Sequence, residues 1–222
     1  MCGTCGCGHD HPHEEITLEQ KVLARNDRLA EENRALLAAR GIRAINLMSS
    51  PGSGKTTLLE RTIVDLAGTT VAVIEGDQET FLDAERIQRT GAPVVQVNTG
   101  AGCHLDAAML RDAYERLQPV EGSLLFVENV GNLVCPALFD LGEAGKVVII
   151  SVTEGTDKPL KYPYMFAAAD LVLVNKLDLL PYVDFDLGAC RKYVATVNPK
   201  AELIAVSATR GDNLSRWYEW LS

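Results

Sequence analysis

The chain has 222 residues, 47% of them apolar, and a formal net charge of −9. That length suits one α/β domain with an appendage better than two full domains, and the apolar fraction supports a sizeable core, which argues against global disorder. The negative balance argues against nonspecific binding to a nucleic-acid backbone, no apolar run approaches the ~18–20 residues of a membrane span, and the Cys/His-rich, then acidic N-terminus lacks the apolar core of a secretory signal, so a cytoplasmic protein is expected.

Residues 1–13, MCGTCGCGHDHPH, have no apolar periodicity and read as a tail. Cysteines in a reducing compartment do not usually form a disulfide framework. Here Cys2-x-x-Cys5-x-Cys7 places three thiols in one loop, with Gly3, Gly6 and Gly8 free to let it fold around an ion. Removal of Met1 would put the α-amine on Cys2 as a further donor. Three thiolates plus an amine suit square-planar Ni(II), and the same thiolates suit tetrahedral Zn(II), so the ligands alone do not choose the metal. His9, His11 and His13 are candidate auxiliary ligands that the sequence leaves open, and a redox dithiol or incidental tail cysteines are the competing readings.

Residues 14–41 follow as an N-terminal helix. Thr17-Leu18-Glu19-Gln20 reads as a capping box at its start. Val22, Leu29 and Leu36, with Leu23, Ala30 and Leu37, form one apolar stripe that ends near Gly41. Too few heptads are sustained for a coiled coil, so the stripe is expected to pack on its own domain.

From 42 to 222 apolar runs alternate with amphipathic stretches. Ala44–Met48, Val71–Glu75, Val94–Val97, Leu124–Glu128, Val147–Val152, Leu171–Asn175 and Leu203–Ala205 read as strands buried on both faces. Thr56–Ala67, Leu105–Leu117, Phe185–Val197 and Leu214–Leu221 read as helices. Trp217 is expected in the core, and Cys190 as a helix-packing residue. The alternation predicts an α/β fold with a doubly wound, mostly parallel sheet flanked by helices.

Ser49-Ser50-Pro51-Gly52-Ser53-Gly54-Lys55-Thr56-Thr57 lies between a strand and a helix. Glycines there let backbone N–H groups approach a polyphosphate. Lys55 would reach the β- and γ-phosphates and Thr56 would coordinate Mg²⁺. Ser49 departs from the glycine that usually opens the motif. Asn175-Lys176-Leu177-Asp178 ends a buried strand and is similar to the N-K-x-D element of GTP-binding proteins. A carboxylate at Asp178 accepts from guanine N1–H and N2–H₂, a donor pair that adenine lacks. Ser207-Ala208-Thr209, after the next strand, is similar to the second base-contact loop. Glu128 ends another strand where a phosphoryl-transfer enzyme places a Mg²⁺-associated acid, and Asp77 follows a strand as a switch residue. Lys55, Asp77 and Glu128 are thus the catalytic set, with Gly52, Ser53, Gly54, Thr56, Thr57, Asn175, Lys176, Asp178, Ser207 and Ala208 around the nucleotide.

A second metal site is expected at Cys103, His104 and Cys135, on loops that should both emerge at the carboxyl edge of the sheet. Three ligands do not close a tetrahedron, so the site is open, labile or shared between two chains.

These motifs, with Glu75-Gly76-Asp77, Gly102-Cys103-His104-Leu105-Asp106, Glu128 through Pro136, and Lys158-Pro159-Leu160-Lys161-Tyr162-Pro163, resemble the HypB family of hydrogenase nickel-incorporation GTPases over essentially the whole chain. The resemblance implies a G domain that dimerises with GTP, an N-terminal nickel site, and a weaker Ni/Zn site in the G domain. It also implies collaboration with a HypA-like nickel chaperone and delivery of nickel to the large subunit of a [NiFe]-hydrogenase. A small-molecule kinase and a passive metal buffer are the competing functions. Guanine selectivity and GTP-dependent metal release separate them from the first.

Overall fold

Valine-, isoleucine- and leucine-rich runs without strict alternation bury both faces of a sheet, which requires helices on each side. In the computed structural model, all seven expected strands form: β1 (Arg43–Ser49), β2 (Val71–Asp77), β3 (Val94–Asn98), β4 (Leu124–Gly131), β5 (Gly145–Ser151), β6 (Leu171–Asn175) and β7 (Glu202–Ala205). The structure describes residues 11–77, 82–100 and 102–222, with side chains from Gln20 onward. The strands make one sheet in the order β3-β2-β4-β1-β5-β6-β7, and every neighbouring pair is parallel. All carboxyl ends therefore meet at one edge, where ligands bind in doubly wound sheets.

The helices are α1 (His11–Ala39), α2 (Lys55–Asp65), α3 (Leu82–Arg89), α4 (Ala107–Leu117), α5 (Lys158–Lys161), α6 (Pro163–Ala167), α7 (Leu187–Val197) and α8 (Leu214–Leu221). One face of the sheet, with Ile45, Leu47, Phe126 and Ile149, packs on Leu58 and Leu59 of α2 and on Trp217 of α8. Trp217 is buried, and its indole N–H donates to the Thr62 hydroxyl at 2.9 Å, so this large ring leaves no polar atom unpaired. On the other face, Met48, Val148 and Val174 pack on α6 and α7, including Cys190. Ala44, Ile74, Leu125 and Val127 pack on α4 and on Leu37 of α1.

Three expectations change. The N-terminal helix begins at His11, so Thr17-Leu18-Glu19-Gln20 lies inside it rather than capping it, and residues 11–13 belong to the helix rather than to a tail. The helix expected from Leu105 begins at Ala107, because the Asp106 side chain caps it by accepting from Met109 N. The buried face of α1 keeps Ala30 and Leu37 of the expected apolar stripe, loses Val22 from it and gains two asparagines. Val22 is 50% exposed, whereas Asn26 and Asn33 are buried beside Ala30 and Leu37. Both asparagines are satisfied by bonds to neighbouring layers. Asn26 donates to the Asp140 carbonyl at 2.8 Å and accepts from Ala107 N at 2.9 Å. Asn33 donates to the carbonyls of Ala107 and Leu141 and accepts from Arg111 Nε. Amphipathicity counts polar residues as outward-facing, and here the polar residues are the fasteners.

Candidate nucleotide and metal sites

The loop after β1 turns twice through left-handed backbone, at Gly52 (φ 73°) and Gly54 (φ 91°). Only glycine fits the second position on both counts, because a Cβ on Gly54 would lie 2.6 Å from Asn175 Nδ2. Ser49 sits at the end of β1 without a positive φ, so its backbone does not call for glycine. Lys55 then opens α2. The Thr56 hydroxyl donates to Glu128 Oε1 at 2.7 Å, and Lys55 Nζ stands 3.5 Å from the same oxygen. Glu128 Oε2 and the Ser53 hydroxyl are buried without a hydrogen-bond partner among the described residues. Orphaned buried oxygens are uncommon. Those of Ser53 and Glu128 lie in and beside the glycine turn, close to the Thr56 hydroxyl, and oxygens of this kind are what a hard cation such as Mg²⁺ would take.

The base motif is stitched to this loop. Asn175 Nδ2 donates to the Ser53 carbonyl at 2.9 Å, and its Oδ1 accepts from Ala208 N at 3.1 Å. Lys176, itself left-handed at φ 60°, donates from Nζ to the Gly52 carbonyl at 2.7 Å. Asp178 Oδ1 accepts from the Ser207 hydroxyl at 2.6 Å. The loops after β1, β6 and β7 thus form one unit. A cleft of about 330 Å³ runs along it, lined by Gly52 through Thr57 and Lys176.

Arg86 of α3 also lines this cleft, together with Asp83. Its guanidinium donates to Thr57 Oγ1 at 3.0 Å and pairs with Glu60 and Asp83. The sequence reading missed it, since an arginine in an unassigned helix carries no motif.

Glu75 of β2 lies directly across from Glu128 of β4. Burial, and then the charges of Glu128, Asp77 and Asp83, push its carboxyl up to about 8, with Lys55 opposing. Asp77 ends β2, and its carbonyl accepts from Thr99 N at 3.0 Å, hooking the loop after β3 onto the end of β2.

Farther along the same edge, Cys103, His104 and Cys135 converge, their ligand atoms all within 4.8 Å of one another. Cys103 Sγ is 3.6 Å from His104 Nδ1. The imidazole stacks on Phe139 at 3.9 Å between ring centres. Burial lowers the His104 pKa against the charge of Asp106, which favours the neutral, metal-binding ring. A hydrogen bond with Cys103, then burial, raises that of Cys135, so a metal would have to displace its proton. Cys2, Cys5, Cys7 and His9 lie outside the described residues, as do the side chains of His11 and His13.

Residues 43–205 match the CobW/HypB/UreG nucleotide-binding domain. The chain is 60% identical over 93% of its length, and 68% of the relative's, to the hydrogenase maturation factor HypB of Azotobacter chroococcum. It belongs to the HypB family. The Escherichia coli HypB is 58% identical over 93% of this chain and 71% of its own length. The crystal structure of Helicobacter pylori HypB in complex with nickel superposes with a TM-score of 0.85 at 38% identity, covering 89% of this chain and 93% of that one. HypB of Archaeoglobus fulgidus gives 0.82 at 39% identity, covering 89% and 97%. The fold is thus that of the HypB P-loop GTPases, whose curated members are hydrogenase maturation factors. No helix among the described residues is long and apolar enough to cross a membrane.

Proposed function

We propose that this chain is a cytoplasmic, GTP-hydrolysing nickel metallochaperone that inserts nickel into a [NiFe]-hydrogenase. The observation that carries the reading is the convergence of Cys103, His104 and Cys135 at the sheet edge that also bears the phosphate loop. A kinase has no use for a soft-ligand cluster there, and a passive buffer has no use for the nucleotide cleft.

GTP lies with its phosphates along Gly52–Thr57 and its guanine on Asp178, with Asn175, Lys176, Ser207 and Ala208 shaping the pocket. Thr56 and Glu128, with Asp77 at the end of β2, would hold Mg²⁺, which would neutralise charge on the transferred phosphoryl oxygens. Lys55 reaches the β- and γ-phosphates in place of its contact with Glu128. The Arg86 guanidinium is engaged by Glu60, Asp83 and Thr57, so unassisted hydrolysis is slow. Nickel is cargo, taken with high affinity by Cys2, Cys5 and Cys7 and, more weakly, by the Cys103–His104–Cys135 site, which also accepts Zn²⁺. Three half-buried ligands leave a tetrahedral position open. A GTP-held homodimer would bring two such sets together, and hydrolysis would relax them and release the metal toward a HypA-like chaperone or the hydrogenase large subunit.

The test is titration of the chain with Ni(II) and Zn(II) in GDP and in a nonhydrolysable GTP analogue, with oligomeric state measured in parallel. Affinity and assembly should both depend on the nucleotide, and Cys135→Ala should remove that dependence while the Cys2/Cys5/Cys7 site survives. Identical affinities, release rates and oligomeric states in the two nucleotides would refute the switch.

A further inference from the structure

Asn129 follows Glu128 on β4 and is buried to 1% exposure. Neighbouring residues of a strand point to opposite faces. Glu128 meets Thr56 and Lys55. The Asn129 amide oxygen accepts from Leu105 N at 3.1 Å and from Val130 N at 3.0 Å. Leu105 is the residue after His104, and its side chain fills the space that the missing Cβ of Gly76 leaves on β2, where a methyl would meet it at 2.8 Å. Leu105 is thereby held at its backbone by β4 and at its side chain by β2.

The other half of the amide completes a ring. Asn129 Nδ2 donates to Asn46 Oδ1 at 3.3 Å, and Asn46 Nδ2 donates to Glu143 Oε1 at 2.9 Å. Glu143 Oε2 accepts from Leu141 N at 2.7 Å. The 139–141 segment begins with Phe139, whose ring lies on the His104 imidazole. His104 is therefore constrained from two directions, through Leu105 behind it and Phe139 against its face, and both restraints lead back to Asn129. A buried network of this kind is rigid only while every member is satisfied.

We propose that Asn129 is a positioning residue for the Cys103–His104–Cys135 metal site, fixing the His104 segment and joining it to the strand that carries Glu128. This rests on the reading of that cluster as a transition-metal site. Outer-shell partners that orient a ligand typically change affinity by about 10–100-fold when removed.

The test uses the full chain with Cys2→Ala, Cys5→Ala and Cys7→Ala, titrated with Ni(II) and with Zn(II) against a chromophoric chelator while the thiolate-to-nickel absorption is recorded. Asn129→Ala should weaken both metals about 10–100-fold and shift the nickel absorption. Asn129→Asp keeps the acceptor for Leu105 N but loses the donor to Asn46 Oδ1, so its loss should be clearly smaller than that of the alanine variant. If the alanine variant does not fold, Asn129→Ser takes its place, since its shorter side chain does not reach Leu105 N. Wild-type affinity and spectrum in the alanine or serine variant overturn the inference and leave the metal site standing. Equal losses with aspartate and alanine also overturn it, since the amide would then matter only as buried filling. A parent that binds neither metal overturns the reading of the cluster itself.

Discussion

The nucleotide cleft and the metal corner share one sheet edge but are held together differently. Around the cleft, short motifs bond one another's backbone: Asn175 to the Ser53 carbonyl, Lys176 to the Gly52 carbonyl, Ala208 N to Asn175. In the corner, the side chains of the cluster bond near neighbours in sequence among the described residues, Cys103 Sγ with His104 Nδ1 and Cys135 Sγ with Asn132 Nδ2. Their loops are fixed by asparagines and a glutamate from other layers, Asn129, Asn46 and Glu143 in and beside the sheet and Asn26 and Asn33 on α1. A site whose residues bond neighbouring motifs is robust to change elsewhere. A site suspended from buried amides depends on elements that never touch its ligand.

Separate damage to each region is the sharpest test of that contrast. Lys55→Ala should weaken GTP binding about 100-fold or more, roughly 3 kcal/mol, by removing the charge at the β- and γ-phosphates. Zinc affinity at Cys103–His104–Cys135 in nucleotide-free protein should be unchanged. Fluorescent-GTP and zinc titrations of the same sample check both halves, and a parallel fall in zinc affinity would mean the regions are one site.

Gly142→Ala is the converse. Gly142 has φ 88°, and a Cβ there would lie 2.3 Å from the Ala30 carbonyl oxygen and 2.8 Å from Arg34 N, both backbone atoms of α1. Crowding and left-handed strain should cost about 2–4 kcal/mol. α1 would loosen from the 139–143 segment, with weaker metal binding and near-normal GTP affinity. Denaturant unfolding and hydrogen exchange across 20–40 measure this, and full protection of α1 in the variant would break the picture.

Asp178→Asn should reduce the preference for GTP over ATP by about 1–3 kcal/mol, as for a lost hydrogen bond to a charged group. Competition binding checks it, and equal competition by ATP and GTP in the wild type would remove the base assignment altogether.

A pH dependence tests the wall between the two regions, at Glu75. Its folded pKa of about 8 lies above the ordinary value of 4.5. Between those values the folded chain holds more protons than the unfolded one, so stability falls as pH rises through the window. The slope is at most about 1.4 kcal/mol per pH unit. Glu75→Gln should flatten it in nucleotide- and metal-free protein, raising Tm at pH 8 with little change at pH 5. Equal slopes for the two proteins would show that Glu75 is already ionised.

Much of this was written locally in the chain. Seven apolar runs became seven strands, because a stretch of Val, Ile and Leu too short for a buried helix and bounded by turn residues finds few other places. The phosphate loop and base motif were legible because each packs its chemistry into a few consecutive residues, with glycines where the backbone must turn left. That Cys103, His104 and Cys135 could meet was legible from residue type and from loops that leave parallel strands at one edge. Tertiary structure decided what depends on distant partners. It put Arg86 in the cleft wall, raised Glu75 by burying it across from Glu128, and added Asn26 and Asn33 to the buried face of α1 beside Ala30 and Leu37 while leaving Val22 exposed. It also tied Leu105 to Asn129. Period and propensity record which residues avoid water. A buried amide enters the core only when partners on other elements satisfy it, and those partners come together only when the chain has folded.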